Sequence, residues 1–304
     1  MDDRLPLPQL AYASGDTWRS ARTKRVILFG MSGLGKTHVS DILRRTGQWF
    51  HYSVDYRIGT RYMGEFIVDD FRKRAMRDPV LAELLRSDSI SIASKIRFDN
   101  LDPLSTYVGK PGDVEKGGIP FDEYMTRQAQ HRNAEIGAML DTDYFARRAK
   151  DIYDYDSFVC DTSGSLIEVV DPDDPEDIVL ETLFRTMLAV WIRGDDDHLQ
   201  LLVDRFSRDP KPMYYQPEFL TVLWDEFLTR EGCPPDQADP NQFIRWGYRR
   251  LLTQRLPRYA ALARNWGVTI EADDVSRIKS AEDFIDLIAP AIDSRNAAVG
   301  GADT

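Results

Sequence analysis

The stretch that decides the fold is residues 25–46, RVILFGMSGLGKTHVSDILRRT. It begins with Val26–Phe29, a short apolar run rich in strand-forming residues. The glycine-rich segment Gly30–Thr37 follows and matches GxxxxGK[ST] at every defined position. After this segment, apolar residues recur at helical spacing, beginning at Val39. Strand, glycine loop and helix in this order are the context that the motif requires.

The loop is suited to binding phosphate groups. Its glycines let backbone N–H groups close around phosphate oxygens, and the helix that follows adds the positive end of its dipole. Lys36 should reach the β- and γ-phosphates of a nucleotide, and the Thr37 hydroxyl should ligate Mg²⁺. A glycine-rich turn without a ligand is the alternative. The residues expected to contact the nucleotide are Gly30, Met31, Ser32, Gly33, Leu34, Gly35, Lys36, Thr37 and His38.

Composition narrows the class of protein. The 304 residues include 50 acidic and 39 basic side chains, a formal charge of −11, which argues against a broad nucleic-acid or anionic membrane surface. Two cysteines cannot build a disulfide framework. Neither a signal peptide nor a long apolar run is present, so we expect a soluble, cytoplasmic protein with no membrane contact. Residues 1–24 should form a loose arm and residues 296–304 a disordered tail.

Further apolar runs predict the rest of a sheet. They are Trp49–Val54, Ser157–Cys160, Leu188–Ile192 and Val268–Ile270. Amphipathic helical segments alternate with these runs, which indicates an α/β fold with a five-stranded parallel sheet and helices on both faces. Ligands of such sheets bind at the carboxyl ends of the strands.

Two acids follow predicted strands at that edge. Asp161 comes directly after an apolar strand, the place from which a carboxylate holds Mg²⁺ beside a phosphate loop. Asp55 follows the second strand and is a candidate catalytic base, although a helix cap or a turn acid is the alternative. After Asp161, the small polar residues Ser163, Gly164 and Ser165 predict a flexible turn that touches a substrate.

Two other segments have candidate functional residues. Residues 60–151 are too long for an ordinary connection and should form a helical insertion. On one of its helices, His131 and Glu135 lie four residues apart, which indicates a surface pair because no third metal ligand is in view. The segment RFSRDPKP contains the cations Arg205, Arg208 and Lys211, which suit a lid over phosphates or, alternatively, offset a helix dipole.

Taken together, these residues resemble the shikimate kinase branch of the small P-loop kinases, which is related to gluconate and nucleoside monophosphate kinases. The resemblance is carried by GMSGLGKT, VDYRIG, RFSRDPKP and LLTQRLPRYAALARNWGVTIEA. The last segment contains the R-x-P-x-Y run of that family at Arg255, Pro257 and Tyr259.

The resemblance implies a P-loop NTPase fold of three α/β/α layers, with ATP and Mg²⁺ as cofactors. It implies that Asp55 contacts the acceptor hydroxyl, that Arg255 binds an anionic group of the substrate, and that Arg208 or Lys211 is the lid cation.

Some features depart from the family. Residues 161–165, DTSGS, stand where shikimate kinases have a triple-glycine turn. The connection after Asp55 is much longer, and Lys211 precedes a proline where the family has Arg. The resemblance therefore supports phosphoryl transfer, with an acceptor other than shikimate.

The first hypothesis is an ATP- and Mg²⁺-dependent kinase that acts on a small, anionic metabolite with a hydroxyl group. Its core would be residues 25–59 and 152–295 with a lid at about 205–241, and the insertion 60–151 would bind the substrate or a protein partner. Arg57 and Arg61 are available for anionic groups, or they pair with local acids. The alternative is a regulatory ATPase or nucleotide switch whose insertion binds a protein partner. A nucleotide-binding protein without turnover is a third possibility.

Overall fold

The computed structural model describes residues 10–300, and the side chains of residues 10–298. Its parallel sheet has the order β2-β3-β1-β4-β5, with helices on both sides. The strands are β1 (Arg25–Phe29), β2 (Trp49–Ser53), β3 (Ser157–Asp161), β4 (Leu188–Arg193) and β5 (Gly267–Glu271). The predicted α/β fold class is confirmed, and the strand ends fall within one residue of their predicted positions.

The α-helices are α1 (Gly15–Ser20), α2 (Lys36–Arg45), α3 (Val54–Arg57), α4 (Gly64–Ala75), α5 (Pro79–Arg86), α6 (Asp102–Val108), α7 (Phe121–Leu140), α8 (Thr142–Tyr153), α9 (Leu166–Val169), α10 (Ile178–Phe184), α11 (Asp196–Arg208), α12 (Pro217–Glu231), α13 (Pro240–Trp266), α14 (Ala272–Arg277) and α15 (Ala281–Gly300). A π-helical turn covers Ile58–Tyr62, and 3₁₀ turns cover Val114–Lys116 and Pro235–Gln237.

The chain divides into two compact units. Within the described part of the chain, the sheet unit consists of residues 10–54, 139–208 and 248–300. The helical unit consists of residues 55–138 and 209–247. This division differs from the predicted one, because residues 209–247 group with the insertion and residues 139–151 group with the sheet.

In the sheet unit, β1 is the central strand, and Val26–Phe29 are fully buried. Within the sheet, β3 and β2 lie on one side of β1, and β4 and β5 lie on the other. The direction in which strands are added therefore reverses at β1. A parallel sheet binds its ligands at such a reversal, outside the carboxyl end of the strand. The loop that begins at Gly30 lies at this position.

Both terminal segments contain ordered parts where disorder is predicted. Trp18 on α1 is fully buried, and its indole Nε1–H donates to the Ile285 carbonyl at 2.8 Å. The Gly15 amide donates to Asp293 Oδ1 at 2.8 Å. Helix α1 is therefore packed against α15, and the loose-arm prediction is wrong for this part of the segment. A six-residue helix is too short to show the repeating apolar pattern from which a helix is predicted.

The C-terminal prediction is also wrong in part. Helix α15 continues to Gly300, and Asn296 Nδ2 donates to the Ala13 carbonyl at 2.9 Å. The predicted loose residues 1–9 and disordered residues 301–304 lie outside the described residues.

The helical unit is held together by contacts between α7 and the segment after residue 209. Tyr124 Oη and Gln128 Nε2 both donate to the Met213 carbonyl, each at 3.0 Å. The rings of Phe121 and Trp224 stack with centroids 5.0 Å apart. These contacts join segments about eighty or more residues apart, which local sequence patterns do not report.

Two predictions about helices need correction. His131 and Glu135 on α7 are buried, with 8% and 0% of their surface exposed, and His131 Nδ1 lies 3.7 Å from Glu135 Oε2. The predicted surface pair is thus an internal one. A proline inside a helical segment predicts an interruption at Pro257, but helix α13 is continuous there.

Candidate nucleotide-binding site

The loop Gly30–Thr37 adopts backbone angles that need glycine. Gly30 has φ +131° and Gly35 has φ +106°, which place both in a region that other residues rarely adopt. A Cβ on Gly30 would lie 2.7 Å from the Ile192 carbonyl oxygen, and a Cβ on Gly35 would lie 2.7 Å from Val275 Cγ1. The C-terminal end of β4 and helix α14 therefore pack closely against the loop.

Lys36 folds back over its own loop. Its Nζ donates to the carbonyl oxygens of Gly30 at 2.8 Å and Met31 at 3.1 Å, and only 7% of the residue is exposed. A buried ammonium held by the loop's carbonyls is placed to exchange those contacts for phosphate oxygens.

Thr37 and Asp161 meet at the carboxyl edge of the sheet. The Thr37 hydroxyl donates to Asp161 Oδ2 at 2.8 Å, across a sequence separation of 124 residues. The contact exists because β3 lies directly beside β1, with Leu28 opposite Asp161 in the parallel register. Burial raises the pKa of Asp161, while the positive charge of Lys36 and the bond from Thr37 oppose this rise.

His51 lies close to Asp161, and it was not predicted from the sequence to belong to the site. Its Nε2 is 3.9 Å from Asp161 Oδ2, and its side chain is 3% exposed. Burial lowers the pKa of His51 to about 4, so the ring is neutral at pH 7. The available signal was a polar residue within the apolar run WFHYSV.

The hydroxyl of Thr37 and the carboxylate of Asp161 fit Mg²⁺. This ion prefers oxygen ligands, keeps several waters, and takes phosphate oxygens alongside one or two protein groups. Across residues 10–300, no group of three or more His, Cys, Asp or Glu side chains could hold a metal ion by itself. A magnesium ion here would therefore take the rest of its ligands from the nucleotide phosphates and from water.

The segment after Asp161 is buried, whereas a flexible turn was predicted. All residues from Thr162 to Val170 are buried, and Thr162 donates from both its amide and its hydroxyl to the Leu28 carbonyl, at 3.1 and 2.9 Å. A Cβ on Gly164 would lie 2.5 Å from Ser32 Oγ and 3.2 Å from the Ser32 amide nitrogen. Gly164, within the segment of residues 162–170, thus lies directly against Ser32 of the loop Gly30–Thr37.

Arg255 contacts this segment. Its Nε donates to Glu168 Oε1 at 2.6 Å and its Nη1 to the Gly164 carbonyl at 3.0 Å. Arg255 is 3% exposed and Glu168 is 2% exposed. The Tyr259 hydroxyl donates to the same Gly164 carbonyl at 2.5 Å. Binding of a substrate anion by Arg255 stays a prediction, and its partner Glu168 was not predicted from the sequence.

Of the predicted lid cations, Arg205 lies close to Gly33 of the loop Gly30–Thr37. Its Nη1 lies 4.0 Å from the point that a Cβ on Gly33 would occupy. Arg208 is exposed at the end of α11. Lys211 belongs to the helical unit, and its Nζ lies 3.9 Å from Asp209 Oδ2.

The predicted acceptor-binding residues begin the helical unit. Asp55 and Arg57 lie on α3, immediately after β2, and both are half-buried. The Arg57 guanidinium lies 5.8 Å from the centre of the Tyr62 ring. Arg61 is exposed on the π-helical turn.

Comparison with known proteins gives a distant likeness. No protein-family model matches this chain, and no curated protein matches it. The crystal structure of shikimate kinase from Bacteroides thetaiotaomicron is similar with a TM-score of 0.35 and 14% identity, over 92% of this chain and 98% of that one. This is the family that the sequence resembles, but a likeness this distant decides neither the fold nor the activity. The fold therefore rests on the sheet order, and the function on the site.

No helix within the described residues is long and apolar enough to cross a membrane.

Proposed function

We propose that this chain is an ATP- and Mg²⁺-dependent phosphotransferase that acts on a hydroxyl group of a small, anionic metabolite. The observation that carries the proposal is the bond between Thr37 and Asp161 beside a glycine loop over which Lys36 is folded. Phosphoryl transfer needs positioning and charge neutralisation, and these side chains supply both at one strand edge.

The phosphate side of the site would work through the sheet unit. The loop amides and Lys36 bind the phosphates and offset their charge. Thr37 and Asp161 hold Mg²⁺, which supplies further neutralisation of phosphate charge when bound. Arg205, next to Gly33, adds a cation at the outer side of the loop.

The acceptor side would work through residues that follow β2. Asp55 accepts the proton of the acceptor hydroxyl as the phosphoryl group leaves the nucleotide. Arg57 and Arg61 bind anionic groups of the acceptor. The hydroxyls of Ser163 and Ser165 belong to the buried segment beside Ser32 and orient the acceptor.

The test is ADP formation by the purified protein with MgATP, with and without pools of hydroxyl-bearing metabolites. A kinase forms ADP only when an acceptor is added. Lys36→Ala should lower this rate on the order of 100-fold or more, because a charge-assisted phosphate contact in a desolvated site is lost. Wild-type turnover by Lys36→Ala would refute the assigned site.

Asp55→Asn separates the two halves of the site. It should bind Mg-nucleotide normally and lose transfer to the acceptor, whereas Asp161→Asn should weaken Mg²⁺-dependent nucleotide binding with or without acceptor. ADP release by the wild type at full rate without any added metabolite would instead indicate the regulatory ATPase. Slow background hydrolysis that survives in Asp55→Asn is compatible with the kinase, because water needs no acceptor pocket.

A further inference from the structure

Three side chains on one face of α13 bind the segment beside the phosphate loop. Arg255 and Tyr259 both donate to the Gly164 carbonyl, at 3.0 and 2.5 Å. Arg258 donates from Nη2 to the carbonyls of Ile167 and Val170, each at 2.9 Å. Helix α13 therefore donates hydrogen bonds to carbonyl groups at both ends of the segment 164–170.

The charge of Arg255 is matched inside the protein. Its Nε bonds to Glu168 Oε1 at 2.6 Å, and the side chains of the pair are 3% and 0% exposed. A buried ion pair of this kind is strongly perturbed when one partner changes, because the other charge is left uncompensated. Such a pair suits a structural support better than a group that exchanges its partner for a ligand in each cycle.

The residue that these side chains support lies against the loop Gly30–Thr37. Gly164 approaches Ser32 so closely that a Cβ there would meet the Ser32 hydroxyl at 2.5 Å. Tyr259 also packs on Phe29, the last residue of β1, with ring centroids 6.3 Å apart, and on Trp191 at 6.4 Å. Trp191 Cδ1 in turn lies 3.2 Å from the point that a Cβ on Gly30 would occupy. One helix face thus supports the loop both at its start and at Ser32.

We propose that Arg255 and Tyr259, with Glu168 as counter-ion, are positioning residues that hold Gly164 against Ser32 and so fix the phosphate loop for nucleotide binding. This inference rests on the proposed nucleotide site and assigns Arg255 a role other than the binding of an acceptor anion. Its consequence is that nucleotide affinity depends on these residues even when no acceptor is present.

The experiment measures binding of a fluorescent ADP analogue, mant-ADP, with Mg²⁺ and without any acceptor. Tyr259→Phe removes a single hydroxyl and should weaken binding about 3- to 10-fold, the effect of one lost hydrogen bond. Arg255→Lys can bond to Gly164 or to Glu168 but not to both in the same geometry, so it should weaken binding similarly.

Arg258→Lys is the matched control. It changes the same residue type on the same helix, but its bonds go to Ile167 and Val170 and not to Gly164. Thermal unfolding of all variants reports general destabilisation. The inference predicts that Arg258→Lys keeps wild-type affinity even where its melting temperature falls as far as that of Tyr259→Phe.

Wild-type affinity in both Tyr259→Phe and Arg255→Lys would overturn the inference, as would equal losses in Arg258→Lys. If the wild-type protein binds mant-ADP but transfers phosphate to no acceptor, the proposed kinase function fails while the positioning role stands. If the wild-type protein does not bind mant-ADP at all, both are refuted.

Discussion

Thr37→Val removes the hydroxyl that joins the phosphate loop to β3, and its effect can be worked out from the site. The Thr37 hydroxyl donates at 2.8 Å to Asp161, a carboxylate that is 7% exposed. Valine has nearly the same shape, so the change tests the bond and not the packing. A hydrogen bond to a charged group contributes about 1.5–3 kcal/mol, and the exposed position of Thr37 brings the expected loss to about 1–2 kcal/mol.

The loss should depend on pH in a defined direction. Burial raises the pKa of Asp161 above its ordinary value, and the bond from Thr37 is one of two influences that hold it down. Without that bond the pKa rises further. The bond stabilises the ionised carboxylate, so the cost of Thr37→Val is full above the pKa of Asp161 and fades as the pH falls through it.

The assay is urea unfolding of the wild type, Thr37→Val and Thr37→Ser over a series of pH values on both sides of the Asp161 pKa. Thr37→Ser keeps the hydroxyl and is the matched control. It should retain nearly all of the stability and most of the Mg²⁺-dependent binding of mant-ADP. Thr37→Val should lose about 1–2 kcal/mol of stability and most of that binding. Equal stability of Thr37→Val and the wild type at neutral pH would refute the reasoning, as would a pH-independent loss.

The remaining predictions concern the lid and the N-terminal helix. Arg205→Ala should lower turnover about 10- to 100-fold, because a cation beside Gly33 is lost. Lys211→Ala should have a smaller effect. Steady-state kinetics of the two variants test this, and a larger effect of Lys211→Ala would indicate that Lys211 is the lid cation. Trp18→Ala should destabilise the protein by about 3–5 kcal/mol, because a fully buried ring and its bond to Ile285 are lost; calorimetry measures it, and an unchanged melting temperature would contradict the packing of α1 on α15.

The local sequence predicted the elements that are marked by a continuous apolar run or a continuous motif. The strands were placed to within one residue because each is an apolar run that ends in Gly or a polar residue. The loop Gly30–Thr37 could be located from the sequence because its glycines, Lys36 and Thr37 lie within one continuous motif. Where a helix was too short to show a repeating apolar pattern, as around Trp18, the prediction was wrong.

Contacts between residues far apart in the sequence could not be predicted from local patterns. His131 and Glu135 gave the correct helix face but not what covers it, and the structure buries both. Arg255 was singled out, yet its partner Glu168 lies 87 residues away in a stretch with no recognisable motif. A one-dimensional pattern reports which face of an element is apolar or charged, and it does not report which other element packs there.

By itself, therefore, the sequence determined that this chain has a glycine-rich loop of the pattern GxxxxGK[ST] between a strand and a helix, within a parallel α/β sheet. Only the tertiary structure decided that β3 lies beside β1 and so brings Asp161 to Thr37. It also decided that residues 209–247 group with residues 55–138. The physical reason is the same in both cases: strand order and the packing of distant segments depend on the free energy of contacts across the whole chain, to which local propensity contributes only a part.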